Sequence, residues 1–299
     1  MSTTADAAVV GERSHTSRTA AGQLAAVATA AATTTTTTTA ITTAAATDTS
    51  APPFRFYDNR QKYLAFVNTC NEKAAVAARA AHELKQVHPS PPCLRLFDAG
   101  MGDGTVLSRL MRSVHRQFPN VPLMVVAKEI SLEDVRLGLD KMPDRFFEHP
   151  NMVLVITNLN YAEAPRLMPN DVQAAAALNW QTVRLTGTCA QEYEEQIESL
   201  GPMLAHGWQT KPSTKTGNPV YARPTVLVIY RDDHKFQLDA VIPKPGQTLG
   251  NYDLIVASQP WRARTSAKFK AQKVLAPLAR SLTPGADAND PVVWQRSSA

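Results

Sequence analysis

Between residues 93 and 160, three apolar runs ("CLRLFDAG", "PLMVVAKE" and "NMVLVITN") alternate with two amphipathic stretches, "DGTVLSRLMRSVHRQF" and "SLEDVRLGLDKM". A short unbroken apolar run reads as a strand buried on both faces, whereas apolar residues spaced by three and four read as a helix. Strands that alternate with helices have few ways to bury themselves. The expected fold class is α/β: a doubly wound, mainly parallel sheet with helices on both faces and right-handed crossovers. Ser131, just ahead of "LEDVRLGL", is the expected N-cap of the second helix.

The flanking segments are organised differently. The first 52 residues are rich in Ala and Thr, contain the unbroken run Thr33–Thr39, and have no aromatic residue, the first being Phe54. Such a composition buries too little apolar surface to offset the ordering entropy, so 1–52 is read as a disordered tail. Arg13 and Arg18 faintly suggest a transit peptide, and Asp6 and Glu12 argue against one. Two helices are predicted next, near 59–68 and 71–87, completing the first half of the sheet domain at 53–160. After Asn160, the next buried strand is "YDLIVASQP" at 252–260. The intervening 161–250 contains an acidic helix, "TCAQEYEEQIESLGPMLA", and "TVLVIYRDDHKFQLDAVIP", which reads as a β-hairpin turning at Asp232–Lys235. A structureless loop of that length is implausible in a compact domain, so 161–250 is predicted to be an inserted α+β cap. The remainder of the sheet domain is assigned to 251–299.

Charge and cysteines narrow the class. A net charge of +5 is compatible with an anionic partner. Cys70, Cys93 and Cys189 lack paired spacing, so neither a disulfide framework nor a metal site is expected. No apolar run is long enough to cross a bilayer, and a cytoplasmic location without membrane attachment is the expectation.

The first strand runs into "FDAGMGDGT", with Gly100, Gly102 and Gly104 on alternate positions behind Asp98. Glycines at the end of a first parallel strand let the backbone turn tightly and approach a ligand without Cβ clashes. A dinucleotide loop places glycines first, third and sixth; here the sixth position is Thr105. An acid beside a pyrophosphate is unfavourable, but beside a cation it is useful. S-adenosylmethionine carries a sulfonium and an α-ammonium and no phosphate, which favours it as the ligand.

"LFDAGMGDGTVL" resembles motif I of the class I S-adenosylmethionine-dependent methyltransferases, a Rossmann-like family. The resemblance continues in "MVVAKEIS", "ITNLN", "NYDLIVASQPW" and "VLAPLARSLTPG", covering about 94–160 and 250–285 in the family's order. It implies cofactor contacts from Asp98, Gly100, Met101, Gly102 and Gly104, ribose contacts from Glu129, and an adenine contact from Asn158 or Asn160.

The acceptor is less legible. Methyl transfer is an in-line displacement that depends on alignment and water exclusion, and a base is needed only when the nucleophile carries a proton. The leading expectation is a small-molecule acceptor under the 161–250 cap, with Tyr230, Asp233 and His234 as candidate bases or acceptor contacts, and with Tyr57 and Tyr63 as either a lid over the cofactor or packed helix core. A second expectation uses "SQPW" (Ser258 to Trp261), which resembles an amino-methyltransferase signature acting on nucleic acid or protein, with Gln259 where the signature has proline. Arg262, Arg264, Lys268, Lys270, Lys273 and Arg280 form an acid-free basic stretch suited to nucleic acid or to a solvated helix face. A third reading is a non-catalytic, methyltransferase-like binding protein. Only "PVVWQ" is available as a fifth strand, and the family's closing strand hairpin has no counterpart. Either the 225–242 hairpin substitutes for it, or the chain is a C-terminally truncated member.

Overall fold

The computed structural model describes residues 71–214, 219–258, 266–283 and 292–294. The three apolar runs form strands β1 (Leu94–Asp98), β2 (Leu123–Lys128) and β3 (Met152–Thr157). Downstream are β4 (Asn179–Leu185), the short pair β5 (Thr210–Pro212) and β6 (Pro219–Tyr221), then β7 (Thr225–Arg231), β8 (Leu254–Ala257) and β9 (Val292–Trp294). Seven of these make one sheet in the order β4-β7-β3-β2-β1-β8-β9. Every neighbouring pair in that sheet is parallel except β3 with β7. Strand order therefore reverses at β1, which has β2 on one side and β8 on the other.

β1, β2, β3 and β8 each split their side chains between two cores. Leu94, Leu96, Val125, Leu154 and Leu254 pack on one face, while Phe97, Val126, Val155 and Ile255 pack on the other. The first face is covered by α1 (Glu72–Glu83), α2 (Thr105–Gln117), α3 (Leu132–Leu139) and α4 (Pro143–Glu148). α2 presents Val106, Leu107, Leu110, Met111 and Val114, a stripe at helical spacing, to that core. Burying each such side chain contributes about 1.5–3 kcal/mol. Ser131 caps α3, its Oγ accepting the Asp134 N–H at 3.3 Å. α5 (Val172–Ala176) buries no residue, whereas α6 (Ala190–Glu198) and α7 (Gly201–Gly207) add Tyr193, Ile197 and Leu204 to the first core. The opposite face is covered by Leu238 of α8 (Lys235–Leu238) and by α9, which joins Ala267–Phe269, the π-helical stretch Lys270–Leu275 and Ala276–Ala279.

The 161–250 segment departs from its reading as a separate cap. β4 and β7 extend the main sheet beyond β3, so most of the segment belongs to the domain itself. β7 does not return as a hairpin. After Arg231 the chain winds into the 3₁₀ turn Asp232–His234 and α8, and the partners of β7 are β3 and β4. β7 thus adds to the β3 side of the sheet, at the opposite end from β9. The acidic helix divides into α6 and α7, with Ser199 and Leu200 between them. The helix predicted at 71–87 is α1 followed by the 3₁₀ turn Leu84–Gln86. Residues 1–52, the 59–68 helix, Tyr57 and Tyr63 lie outside the described residues.

Candidate functional site

The C-terminal ends of β1, β2, β3 and β8 share one edge, and the glycine loop sits there where the strand order reverses. Open α/β sheets bind ligands at such a switch point. The loop is fastened on both sides. The Ala99 N–H donates to the Val256 carbonyl at 2.8 Å, and the Met101 N–H to the Lys128 carbonyl at 3.1 Å. Gly102 and Gly104 have φ of +53° and +75°, in the left-handed region that favours glycine. Asp103 was passed over in the sequence and anchors the start of α2. It accepts hydrogen bonds from the Thr105 N–H and Oγ1, and pairs with Lys73 Nζ at 2.6 Å. Burial opposes its charge, but the bonds from Lys73 and Thr105 prevail and hold the carboxyl below its ordinary range. The signal for it is an Asp two residues ahead of a Thr at a helix start.

Asp98 ends β1 and is only 3 % exposed. Its Oδ1 accepts the Gly100 N–H at 3.1 Å. Burial pushes this carboxyl up to about 7, against the opposing effect of the Gly100 hydrogen bond and with a smaller upward push from Glu129. Glu129, just past β2, turns its carboxylate into the loop. Oε2 accepts the Gly102 N–H at 2.9 Å, and Oε1 accepts the Ile130 and Ser131 N–H groups at 2.7 and 2.9 Å. The buried indole of Trp208, from the end of α7, donates to the Glu129 carbonyl at 2.8 Å. This tether from the inserted segment was not visible in the sequence. Lys128 is also buried, with its ammonium 4.7 Å from the centroid of the Tyr161 ring. Burial lowers its pKa, and Glu129 partly restores it.

The two asparagines after β3 have different surroundings. Asn158 is 2 % exposed and fully engaged: Nδ2 donates to the Gly207 and Arg223 carbonyls at 3.0 and 2.9 Å, and Oδ1 accepts the Thr225 N–H at 2.8 Å. It fastens the start of β7 to β3, so of the two asparagines it is Asn158 whose side chain is committed to the fold. Asn160 is exposed, with Oδ1 accepting the Ala162 N–H at 3.0 Å. Removing the Asn158 amide strands buried backbone groups, each costing about 1–3 kcal/mol. Asn158→Ala is therefore expected to lower the unfolding free energy by about 2–3 kcal/mol in urea titrations, and Asn160→Ala by less than about 0.5 kcal/mol.

The remaining predicted contacts are dispersed. Because β7 is antiparallel to β3, Tyr230 stands opposite Val153 at the start of β3. Tyr230 is buried in the second core, and Asp233 and His234 follow in the 3₁₀ turn beyond it. These three lie on the edge remote from the glycine loop, which removes them as acceptor contacts. Asp233 is held at about 2, chiefly by its hydrogen bonds from Arg231, which is a pairing confined to that remote turn. Ser258 follows β8 on the loop's own edge, half-buried, while Gln259 and Trp261 lie outside the described residues. Among the described residues no helix is long and apolar enough to cross a membrane. No family model, curated protein or solved structure matches the chain.

Proposed function

We propose that the chain is a class I, Rossmann-like S-adenosylmethionine-dependent methyltransferase. The observation that carries this reading is a buried acid behind a glycine loop at the strand-order reversal. Asp98 there receives one hydrogen bond from Gly100, and among the described residues no cationic side chain lowers its pKa. A buried carboxyl in that position suits a cationic ligand, which would supply the missing countercharge. The cofactor, when bound, supplies a methyl group already activated by its sulfonium. The chain's residues then have three tasks. Asp98 holds positive charge at the mouth of β1. Glu129 offers a carboxylate that can exchange its Gly102 bond for ribose hydroxyls. The open glycine backbone admits the ligand without side-chain contact. Alignment of the acceptor and exclusion of water complete an in-line displacement.

Calorimetric titration of S-adenosylmethionine into the full chain tests the reading. Micromolar binding is expected, weakened at least tenfold by Glu129→Ala, because charge-assisted hydrogen bonds are each worth about 1.5–3 kcal/mol. A folded wild-type protein that takes up no cofactor would overturn it.

A further inference from the structure

On the same side of the molecule as α9, a cleft of about 480 Å³ opens between the turn after β3 and that helix. Asn160 and Tyr161 form one wall; Phe269, Gln272, Lys273 and Arg280 form the other. Among the described residues that line it there are two cations, three amides and no carboxylate, Asn170 being the third amide. The neighbouring acids are already engaged. Glu163 is buried and accepts from the Asn170 N–H and the Tyr221 hydroxyl at 3.1 and 3.2 Å, and Asp171 Oδ1 accepts the Ala174 N–H at 2.9 Å. Two aromatic surfaces face the opening. Phe269 is 47 % exposed, on a helix that buries only Val274 and Leu278 in the second core. Behind Tyr161, the buried Lys128 side chain places its Nζ 4.7 Å from the ring centroid. Gln272 and Lys273 belong to the π-helical stretch Lys270–Leu275, a geometry that is rare and concentrated at functional sites.

From this combination we infer that the cleft is the acceptor pocket and that the acceptor is a small planar molecule bearing an oxyanion, either carboxylate or phosphate. The inference rests on the methyltransferase reading. Lys273 and Arg280 take the oxyanion, Gln272 and Asn170 supply hydrogen bonds, and Phe269 and Tyr161 take the ring. Two exposed cations beside one opening also raise the local concentration of an anion. This gives the basic stretch of α9 a small-molecule role. A polynucleotide would instead favour an extended groove with stacking along its length.

The test uses phenyl phosphate, benzoate and uncharged phenol, each titrated calorimetrically into the full chain and into its Lys273→Gln/Arg280→Gln variant. Both substitutions are at exposed positions, and the variant is expected to fold as the wild type does. At least one oxyanion is expected to bind tenfold or more tightly than phenol, and that gain is expected to vanish in the variant. Which oxyanion binds better then tells a phosphate acceptor from a carboxylate. S-adenosylmethionine is expected to bind wild type and variant equally. Phenol binding as well as the anions, or anion binding unaffected by the double substitution, would overturn the pocket. A single-stranded oligonucleotide of about twenty thymidines binding more tightly than either anion, with a steep salt dependence, would overturn it in favour of nucleic acid. Oxyanion binding without cofactor binding would instead sink the methyltransferase reading and leave an anion site standing.

Discussion

Asp98→Asn is expected to weaken S-adenosylmethionine binding by more than about 100-fold while making the ligand-free protein more stable above pH 7. The two effects have one cause. The carboxyl is buried, with its pKa raised from 3.8 to about 7. A raised acid binds its proton more tightly in the folded state than in the unfolded one. Between about pH 4 and 7 the unfolded chain has released that proton and the folded chain has not, so stability falls as pH rises. Below pH 4 both states are protonated and nothing is lost; above 7 the loss is complete. Asparagine keeps an acceptor for the Gly100 N–H without the charge, so the variant escapes this penalty. A cationic ligand reverses the balance, because removing one partner of a buried charge pair typically costs about 3–5 kcal/mol.

Wild-type affinity should therefore climb about tenfold per pH unit up to about pH 7 and level off there, with proton release on binding below it. An α-amino group deprotonates near 7.7–8.0, which bounds the useful window from above. Melting temperature of wild type and variant at pH 5 and pH 8 reads the first effect, and calorimetry across pH 5.5–7.5 reads the second. Affinity that is flat across that window would mean that Asp98 does not meet the ligand's positive charge.

Much of the parallel sheet was legible because it is specified locally. "LRLFD", "LMVVAK" and "MVLVIT" are apolar apart from Arg95 and the polar residue that ends each, as strands covered on both faces tend to be. α2 and the Ser131 cap were equally plain. β4 was missed because "NWQTVRL" is an edge strand buried fully only at Leu185, which leaves no unbroken apolar run to detect. β7 was recognised as a strand, but its partners could not be. "TVLVIYR" pairs with residues 153–157 and 179–185, and such long-range pairing leaves no mark in the segment itself. The adjacent Asp232-Asp233 then reads as a hairpin turn, although the same residues serve equally well to start a helix. In the site, the loop and the acids at the strand ends followed from sequence. The Trp208 tether and the Asn158 clamp did not, since both join elements about 50 or more residues apart.

The glycine loop itself offers the sharpest separation of fold from ligand. Gly102 and Gly104 share a left-handed φ, yet a side chain at each meets a different environment. A Cβ on Gly102 finds nothing within 4 Å, whereas one on Gly104 lies 2.7 Å from the Gly138 Cα and 3.3 Å from its carbonyl oxygen. Gly102→Ala should therefore cost little beyond the strain of φ +53°, about 1 kcal/mol. It would also place a methyl group over the backbone that a cofactor approaches, so binding should fall at least tenfold in a protein that still folds. Gly104→Ala adds to the strain a collision with backbone, which cannot rotate out of the way. α2 and α3 must separate to relieve it, and both pack on the first core through Leu107, Leu110, Val135 and Leu139. A loss of about 3 kcal/mol or more is expected, a large part of a marginal stability of about 5–15 kcal/mol. Urea unfolding of the two variants side by side measures this. A Gly104→Ala protein as stable as Gly102→Ala would mean that the close approach of α2 to Gly138 is not part of the fold in solution.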